Sequence, residues 1–324
     1  MNILVVGSCT IDMFLKADSD HFQTNENKVC FALGDKIPTD IKDFSIGGNG
    51  ANVSVGLKRL GVTSSLFTHL GSDLLSKEVE TTVQKEGVIT EIIKIPTKTP
   101  SLSFVFDFNN DRIIFSHHTT YDYDFSYSKT DLPDLIYLTS IGNRWENVYK
   151  KVVEFAKENK IPLALSPGSA QLEDINDTLL WALKSSNMIF INKQEAEKIL
   201  SASGHKTKNV LDILSALQAL GPETVSITDG ANGAYAISAD KTPYKISVFK
   251  TPGQTDKTGA GDAYASGFLA AYSFEKNTQE SMRWGSVNAW SAMTKTGAQN
   301  GLLKKADVEE IIKTETDFDP EQLK

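Results

Sequence analysis

The segment DKTGAGD at residues 256–262 places three small residues directly before a carboxylate. Gly259, Ala260 and Gly261 precede a predicted helix, whose first amides lack intrahelical partners and lie at the positive end of the helix dipole. Such a helix start suits a phosphate, above all one that develops charge during transfer. Asp262 would then lie beside the anion, where it can accept a proton from an attacking hydroxyl. The alternative is that Asp262 only caps the helix.

A second glycine-rich segment, IGGNGANVSVGLKRLG, occupies residues 46–61. Its letters NVSVGL alternate like a strand, but Asn49 is a candidate N-cap and Gly61 follows two basic residues, as is typical of a helix end. We therefore predict a helix. Gly47 and Gly48 lack side chains and would let the backbone approach a substrate. The chain has no GxxxxGK[ST] motif, so a P-loop is excluded as the phosphate site.

Short apolar runs alternate with amphipathic ones along most of the chain, which predicts repeated βα units and a parallel sheet with helices on both faces. Residues 12–46 and 89–117 interrupt this rhythm, and the second segment reads as a strand, a turn at residues 109–111, and a strand. We predict a small antiparallel sheet made from these two insertions in a single domain of residues 1–324. Such a sheet would cover a ligand or pack against a second copy.

Composition excludes several classes of function. The chain has 324 residues and a net charge of −8, which argues against nucleic acid or an anionic membrane as the main partner. The two cysteines, Cys9 and Cys30, form no CxxC motif, so neither a disulfide framework nor a structural zinc site is expected. Because the N-terminal apolar run is short and no segment reaches the ~18 apolar residues of a membrane span, we expect a cytoplasmic protein.

Two further pairs of residues are candidates for substrate contact. His117 and His118 are neighbours on a predicted strand and therefore point to opposite faces, so they would not share a metal ion, although one of them could touch substrate. Asn143 and Arg144 follow a predicted strand at the carboxyl edge of the sheet, where ligands of α/β proteins bind. Asn143 is the candidate contact, and Arg144 would matter for a substrate that carried a phosphate. The alternative for both is an ordinary loop.

At the level of whole motifs, the sequence resembles the ribokinase-like carbohydrate kinases, also called the phosphofructokinase B family. GGNGANVSVGLKRLG is similar to the first family signature and DKTGAGD to the second, with Lys257 where the family usually has threonine. THLGSD at 68–73, NKQE at 192–195 and ITDGANGAYA at 227–236 resemble other family motifs in the same order. The resemblance covers nearly the whole chain.

The resemblance implies a central, mostly parallel sheet flanked by helices, with a small antiparallel β lid. It implies that ATP phosphorylates a hydroxyl of a small sugar, with Asp262 as the general base and the amides of Gly259, Ala260 and Gly261 as an anion hole. A homodimer joined through the lid is also implied. Two alternatives stay open: a nucleoside kinase of the same family, and a sugar-binding regulator that has lost turnover, against which the intact GAGD argues.

The resemblance also implies a set of binding residues. A carboxylate at Asp12 would accept hydrogen bonds from substrate hydroxyls, unless Asp12 is only a turn residue. The implied substrate-binding residues are Asp12, Gly47, Gly48, Asn52 and Asn143, and the implied ATP-binding residues are Asn192, Thr228, Gly230, Gly233 and Asn288.

Two cation sites are implied as well. Asn192 and Glu195 would organise Mg²⁺ through water and the nucleotide phosphates, because this ion prefers oxygen ligands. Without the resemblance, Glu195 would be interpreted as a solvated helix residue. A monovalent cation such as K⁺ would bind near Asp256 and the carbonyls of Thr258 and Gly297.

Overall fold

The computed structural model describes residues 1–17, 21–25, 28–97, 100–108, 111–127, 130–207, 209–250 and 256–324. Residues 109 and 110 of the predicted turn lie outside the described residues. The strands are β1 (Asn2–Val6), β2 (Thr10–Ala17), β3 (Phe22–Asn25), β4 (Lys28–Phe31), β5 (Thr39–Gly47), β6 (Thr63–Leu70), β7 (Ile89–Lys94), β8 (Leu102–Phe108), β9 (Asp111–His117), β10 (Leu135–Leu138), β11 (Leu163–Leu165), β12 (Met188–Asn192), β13 (Thr224–Thr228), β14 (Ala234–Ile237), β15 (Pro243–Ile246) and β16 (Glu321–Gln322). The helices are α1 (Asn49–Arg59), α2 (Leu74–Lys85), α3 (Glu146–Asn159), α4 (Ser169–Glu173), α5 (Asp177–Ser185), α6 (Lys193–Ala202), α7 (Val210–Ala219), α8 (Ala260–Ser273), α9 (Thr278–Ala292) and α10 (Lys305–Thr314).

Most strands form one large twisted layer. Within the described residues, a ten-stranded sheet has the order β16-β15-β14-β13-β12-β11-β10-β1-β6-β7. Its strands are parallel from β7 to β13, and β14, β15 and β16 extend it in antiparallel pairs. The predicted central, mostly parallel sheet is confirmed.

Helices cover both faces of this sheet because its strands are apolar on both sides. In β1, Ile3 and Val5 join a core that includes residues of α1, α8 and α9. Leu4 and Val6 point the other way, into a core that includes residues of α3, α5, α6 and α7. The two cores fix the helix starts of α1 and α8 relative to the carboxyl ends of the parallel strands.

A second, smaller sheet stands beside the first, in the order β5-β2-β8-β9. The pairs β5–β2 and β8–β9 are antiparallel, as predicted. The strands β2 and β8 are parallel, because β2 continues from β1 and β8 from β7, and both of those belong to the parallel part of the large sheet. The strands β3 and β4 form a separate antiparallel pair.

The boundary of the second insertion differs from the prediction. Residues 89–117 were expected to belong to the small sheet, but β7 pairs with β6 in parallel and forms an edge of the large sheet. Helix α2 supplies the crossover that parallel pairing requires, so β6, α2 and β7 are an ordinary βαβ unit. In this segment, the strands of the small sheet are β8 and β9.

Each of the two glycine-rich segments contains a helix start, as predicted. α1 is a helix despite its alternating letters, and its N-cap is Gly48 at φ 88°, not Asn49. A Cβ on Gly48 would lie 2.6 Å from the carbonyl oxygen of Ser8, so glycine is required there. Gly259 precedes α8 with φ 72°, also in the left-handed region. Among the described residues, the helices are all too short or too polar to cross a membrane.

Candidate active site

A cleft of about 500 Å³ lies at the carboxyl edge of the parallel strands, where α1, α8 and the small sheet meet. This is the edge at which ligands of open α/β sheets bind. The cleft brings together most of the residues that the sequence selected. Those that line it are Asp12, Gly48, Asn52, Asn143, Asn192, Glu195, Thr228, Thr258, Gly259, Gly261 and Asp262.

Asp262 is the buried carboxylate at the centre of this cleft. It is the third residue of α8 and is only 7% exposed. Asn49 Nδ2 donates to its Oδ1 at 2.9 Å, and Asn52 Nδ2 donates to its Oδ2 at 2.9 Å. Both asparagines belong to α1, so the hydrogen bonds of this carboxylate are made to α1 and not to its own helix. The alternative that Asp262 merely caps α8 is therefore wrong.

The orientation of the Asn52 amide is itself fixed by the surrounding protein. Gln299 Nε2 donates to Asn52 Oδ1 at 3.1 Å, which leaves the Nδ2 group to face Asp262. Arg59 in turn donates to the carbonyl oxygen of Gln299 at 2.6 Å and forms an ion pair with Glu86 at 2.7 Å. This chain of contacts ties the helix start of α8 to α1 and presents two donors to one carboxylate.

Burial governs the protonation of Asp262. Desolvation raises the pKa of this carboxyl to about 6 and outweighs the hydrogen bonds from Asn52 and Asn49, which lower it. The negative charges of Glu195 and Asp12 make a smaller contribution to the same rise in pKa. A carboxyl that titrates near neutrality is suited to general base catalysis, because it is ionised at pH 7 and still has appreciable proton affinity.

The amides at the start of α8 differ in their availability. The amide of Ala260 donates to the carbonyl oxygen of Lys257 at 3.3 Å, and Ala260 does not line the cleft. Gly261 does line it, a Cβ at this position would meet no atom within 4 Å, and its amide has no acceptor among the described residues. Gly261 is thus better placed for an anion than Ala260.

Asp12 is a second acidic group of the cleft and lies at its small-sheet end. The side chain is 7% exposed, and Thr10 Oγ1 donates to its Oδ1 at 3.2 Å. Gly47 was predicted to admit a substrate to the backbone, but the Asp12 carboxylate occupies that space. A Cβ on Gly47 would lie 2.0 Å from Asp12 Oδ2. Gly47 is therefore needed to seat Asp12, and Gly48 is the glycine that lines the cleft.

The opposite end of the cleft is formed by the ends of β12 and β13. Asn192 and Glu195 make a capping box for α6, in which Asn192 Oδ1 accepts from the Glu195 amide at 2.9 Å and Glu195 Oε2 accepts from the Asn192 amide at 2.8 Å. Burial raises the pKa of Glu195. Thr228 lines the cleft, whereas Gly230 and Gly233 lie in the turn after β13 and do not.

Asn288 was predicted to reach the adenine, and the structure corrects this assignment. Its side chain is fully buried in α9 and does not line the cleft. Its Nδ2 donates to Ala263 O at 2.8 Å and to Ser266 Oγ at 3.2 Å, and its Oδ1 accepts from the Leu303 amide at 3.0 Å. Asn288 joins α9 to α8, because a polar side chain in this interior needs protein partners.

The residues predicted to hold a monovalent cation do lie together. Asp256 Oδ1 accepts from the amide of Thr258 at 2.9 Å and from its hydroxyl at 2.6 Å, and Asp256 Oδ2 accepts from the amide of Gly297 at 2.9 Å. Gly297 adopts φ 89°. Among the described residues, no group of three or more His, Cys, Asp and Glu side chains is arranged to hold a metal ion.

Sequence reasoning missed several residues of the site. Asn49 was considered as a helix cap and not as a partner of Asp262. Gln299, Ser103 and Ser116 were not considered at all, because no spacing in the sequence links them to Asp262. Ser103 and Ser116 line the cleft from β8 and β9. Of the two adjacent histidines, His118 lines the cleft and His117 does not.

Comparisons with known proteins agree with this geometry. A family model described as pfkB family carbohydrate kinase matches residues 2–305. The sequence is 26% identical over 277 residues to a ribokinase from Haemophilus influenzae, covering 83% of this chain and 88% of the relative. It is 26% identical over 271 residues to a nucleoside kinase from Methanocaldococcus jannaschii, covering 82% and 84%. The structure of Arabidopsis thaliana ribokinase complexed with ribose and ATP is similar in fold, with a TM-score of 0.79, 19% identity, and coverage of 96% of this chain and 98% of that one.

The chain therefore belongs to the pfkB family of carbohydrate kinases. It is an ATP-dependent sugar kinase, which transfers a phosphoryl group to a hydroxyl of its acceptor. The family, the fold class and the reaction predicted from the sequence are confirmed.

Proposed function

We propose that this cleft is the active site and that Asp262 deprotonates the acceptor hydroxyl for attack on the γ-phosphate of ATP. The observation that carries the proposal is the position of Asp262: a buried carboxylate held by two amides at a helix start, next to the open amide of Gly261. The helix dipole and the Gly261 amide would stabilise the charge that develops on the transferred group. Asp12 would bind acceptor hydroxyls at the small-sheet end.

The nucleotide would occupy the end of the cleft formed by Asn192, Glu195 and Thr228. The capping box uses Oε2 of Glu195, which accepts from the Asn192 amide at 2.8 Å, and the side chain lines the cleft. This donor set fits Mg²⁺ held through water and phosphates, and such an ion would neutralise charge on the nucleotide. Asp256, Thr258 and Gly297 would hold K⁺, with the Asp256 carboxylate as its anionic partner.

The small sheet is the proposed lid and dimer surface. Four large apolar side chains are exposed on it: Ile41 at 65%, Phe44 at 43%, Ile114 at 46% and Phe115 at 57%. Burial of such side chains against a second copy would stabilise a homodimer. Residues 1–324 are proposed to form one domain that functions in the cytoplasm.

The lining of the acceptor end favours a sugar over a nucleoside. A nucleobase usually stacks on an aromatic ring of its site. The rings of Phe190 and Tyr264 touch the cleft but are only 4% and 3% exposed and pack in the core. Apart from these, His118 is the one ring that the described residues contribute to the lining. The acceptor end is otherwise made of small polar side chains.

A coupled assay of ATP consumption with a panel of sugars and nucleosides tests the proposed acceptor class. We expect turnover with at least one free sugar, at a kcat/KM at least tenfold above that for any nucleoside. A nucleoside that reacts better than every sugar would identify the protein as a nucleoside kinase. Ligand binding without ATP consumption, for every acceptor in the panel, would instead favour a sugar-binding regulator.

The pH dependence of the reaction should report the ionisation of Asp262. Because the base acts in its ionised form, kcat/KM should rise with pH and level off above a pKa of about 6. Asn52→Ala removes a hydrogen bond that lowers this pKa, so the acid limb of the profile should move to higher pH. Asn159→Ala, which removes a similar amide from the exposed end of α3, is the control and should leave the limb in place. An unshifted limb in Asn52→Ala would contradict the assignment of this limb to Asp262.

A further inference from the structure

Three short polar side chains form a row across the small sheet at the acceptor end of the cleft. Asp12 on β2 is paired with Ser103 on β8, and Ser103 is paired with Ser116 on β9. Directly paired residues of neighbouring strands point to the same face, at about 5 Å spacing. All three line the cleft. The row therefore presents a carboxylate and two hydroxyls side by side to whatever binds next to Asp262.

An apolar row bounds this polar row on the side away from α1. Phe14, Val105 and Ile114 are paired in the same way on the same face, two residues later on β2 and β8 and two residues earlier on the antiparallel β9. Phe14 and Val105 are buried, at 6% and 3% exposure. The small sheet can therefore bind acceptor hydroxyls through the row of Asp12, Ser103 and Ser116, while the next row is apolar. A polar strip of this width suits a small acceptor.

The charges of the cleft are uniformly unfavourable for an acidic acceptor. Four carboxylates line it, namely Asp12, Glu173, Glu195 and Asp262, and the described residues contribute no lysine or arginine to the lining. A phosphate or carboxylate on the acceptor would usually be held by such a cation, most often a bidentate arginine. Here it would meet Asp12 instead.

Two candidate cations, Arg144 and His118, present no positive charge to the cleft. Arg144 follows Asn143 in sequence, but its Nη1 is 2.7 Å from Asp122 Oδ1 and it does not line the cleft. His118 does line it, and burial, followed by the charge of His117, lowers the pKa of the His118 imidazole. His118 is thus neutral at pH 7, a hydrogen-bonding group and not a phosphate anchor.

We propose that the acceptor is a small, uncharged polyol sugar, not a sugar phosphate or sugar acid, and that Ser103 and Ser116 determine specificity by hydrogen bonding to one of its hydroxyls. This inference rests on the proposed function of the cleft. It assigns a role to two serines that lie outside every sequence motif. The small sheet would then contribute to acceptor specificity as well as cover the acceptor.

The test compares each free sugar of a panel with its own phosphate ester, in an assay that detects ADP. We expect the free sugar to have the higher kcat/KM in every pair that reacts, by at least tenfold. A phosphate ester that reacts better than its free sugar would overturn the inference while leaving the kinase function intact. If neither member of any pair consumes ATP, the proposed function itself fails.

Two serine variants test the specificity residues with the best free sugar. Ser103→Ala and Ser116→Ala should each raise the acceptor KM about 2- to 10-fold, the range for loss of one neutral hydrogen bond, and leave the ATP KM unchanged. Thr39→Ala removes a hydroxyl from an exposed position of β5 on the same sheet and should change neither constant. Unchanged acceptor KM values in both serine variants, or equal rises in both constants, would overturn the assignment. Circular dichroism and thermal unfolding confirm that each variant is folded.

Discussion

Asp262→Asn is expected to lower turnover by about 10²- to 10⁴-fold, the contribution typical of a general base. The substitution keeps the volume of the side chain and removes its proton affinity. The variant should still bind ATP and acceptor, because the amide of Gly261 and the carboxylate of Asp12 are untouched. The loss should therefore appear in kcat, measured with saturating substrates, and much less in either KM.

The stability of Asp262→Asn supplies an independent check. Because the folded pKa of Asp262 lies above its ordinary value of 3.8, at about 6, the folded state holds its proton more tightly than the unfolded state does. This contribution to stability is present at acid pH and is lost as the pH rises through about 6. The Asn variant lacks that dependence, so its unfolding free energy should change less between pH 4 and pH 8, as measured by urea titration.

The matched control for this prediction is Asp240→Asn. Asp240 accepts hydrogen bonds from Ser238 and from the Thr242 amide in an exposed turn between β14 and β15. Its conversion to asparagine should leave kcat within about twofold, since Asp240 does not line the cleft and surface substitutions of this kind usually change stability by no more than about 0.5 kcal/mol. Near-normal turnover in Asp262→Asn would remove Asp262 from the mechanism.

Asp12→Ala is expected to raise the acceptor KM about 10- to 100-fold, with a smaller effect on the KM for ATP. A hydrogen bond to a charged group contributes about 1.5–3 kcal/mol, and the buried Asp12 carboxylate can accept more than one from a polyol. Initial rates over a matrix of acceptor and ATP concentrations separate the two constants. Asp107→Ala removes an exposed carboxylate from β8 in the same small sheet and is the control.

Gly47→Ala tests the position of Asp12 without changing its chemistry. The new methyl group would lie 2.0 Å from Asp12 Oδ2, so the carboxylate must move. The acceptor KM should therefore rise in this variant as well, in the same direction as in Asp12→Ala. A rise in Asp12→Ala without any change in Gly47→Ala would mean that the position of the carboxylate is less critical than its charge. Unchanged acceptor KM in both variants would exclude Asp12 from acceptor binding.

Much of the secondary structure and several residues of the site could be predicted from local patterns in the sequence. The alternation of apolar runs with amphipathic ones specified the parallel sheet, and the small residues at 259–261 specified a helix start with exposed amides, because both signals depend on neighbours within one element. The helix at α1 was predicted from its terminal residues in spite of its alternating letters. Asp12, Asn52 and Asp262 were selected through whole motifs and lie together in the cleft.

Other features depend on which elements pack together, and these were decided by the tertiary structure. Asn288 was predicted to bind ATP from the resemblance to the family. The packing of α9 on α8 instead directs its side-chain amide into the core. Residues 89–94 were predicted to belong to an insertion. In the structure they form β7, which pairs with β6 because α2 supplies the crossover between the two strands. Neither outcome has a signal within the segment itself.

The geometry around Asp262 shows most clearly which features the sequence predicts and which depend on the tertiary structure. Asn49 and Asn52 are separated from Asp262 by 213 and 210 positions, and Gln299 from Asn52 by 247. The row of Asp12, Ser103 and Ser116 exists only through the register of three strands. Sequence spacing determines which side chains share a face of one helix or strand, whereas the contacts between elements follow from packing and pairing over the whole fold.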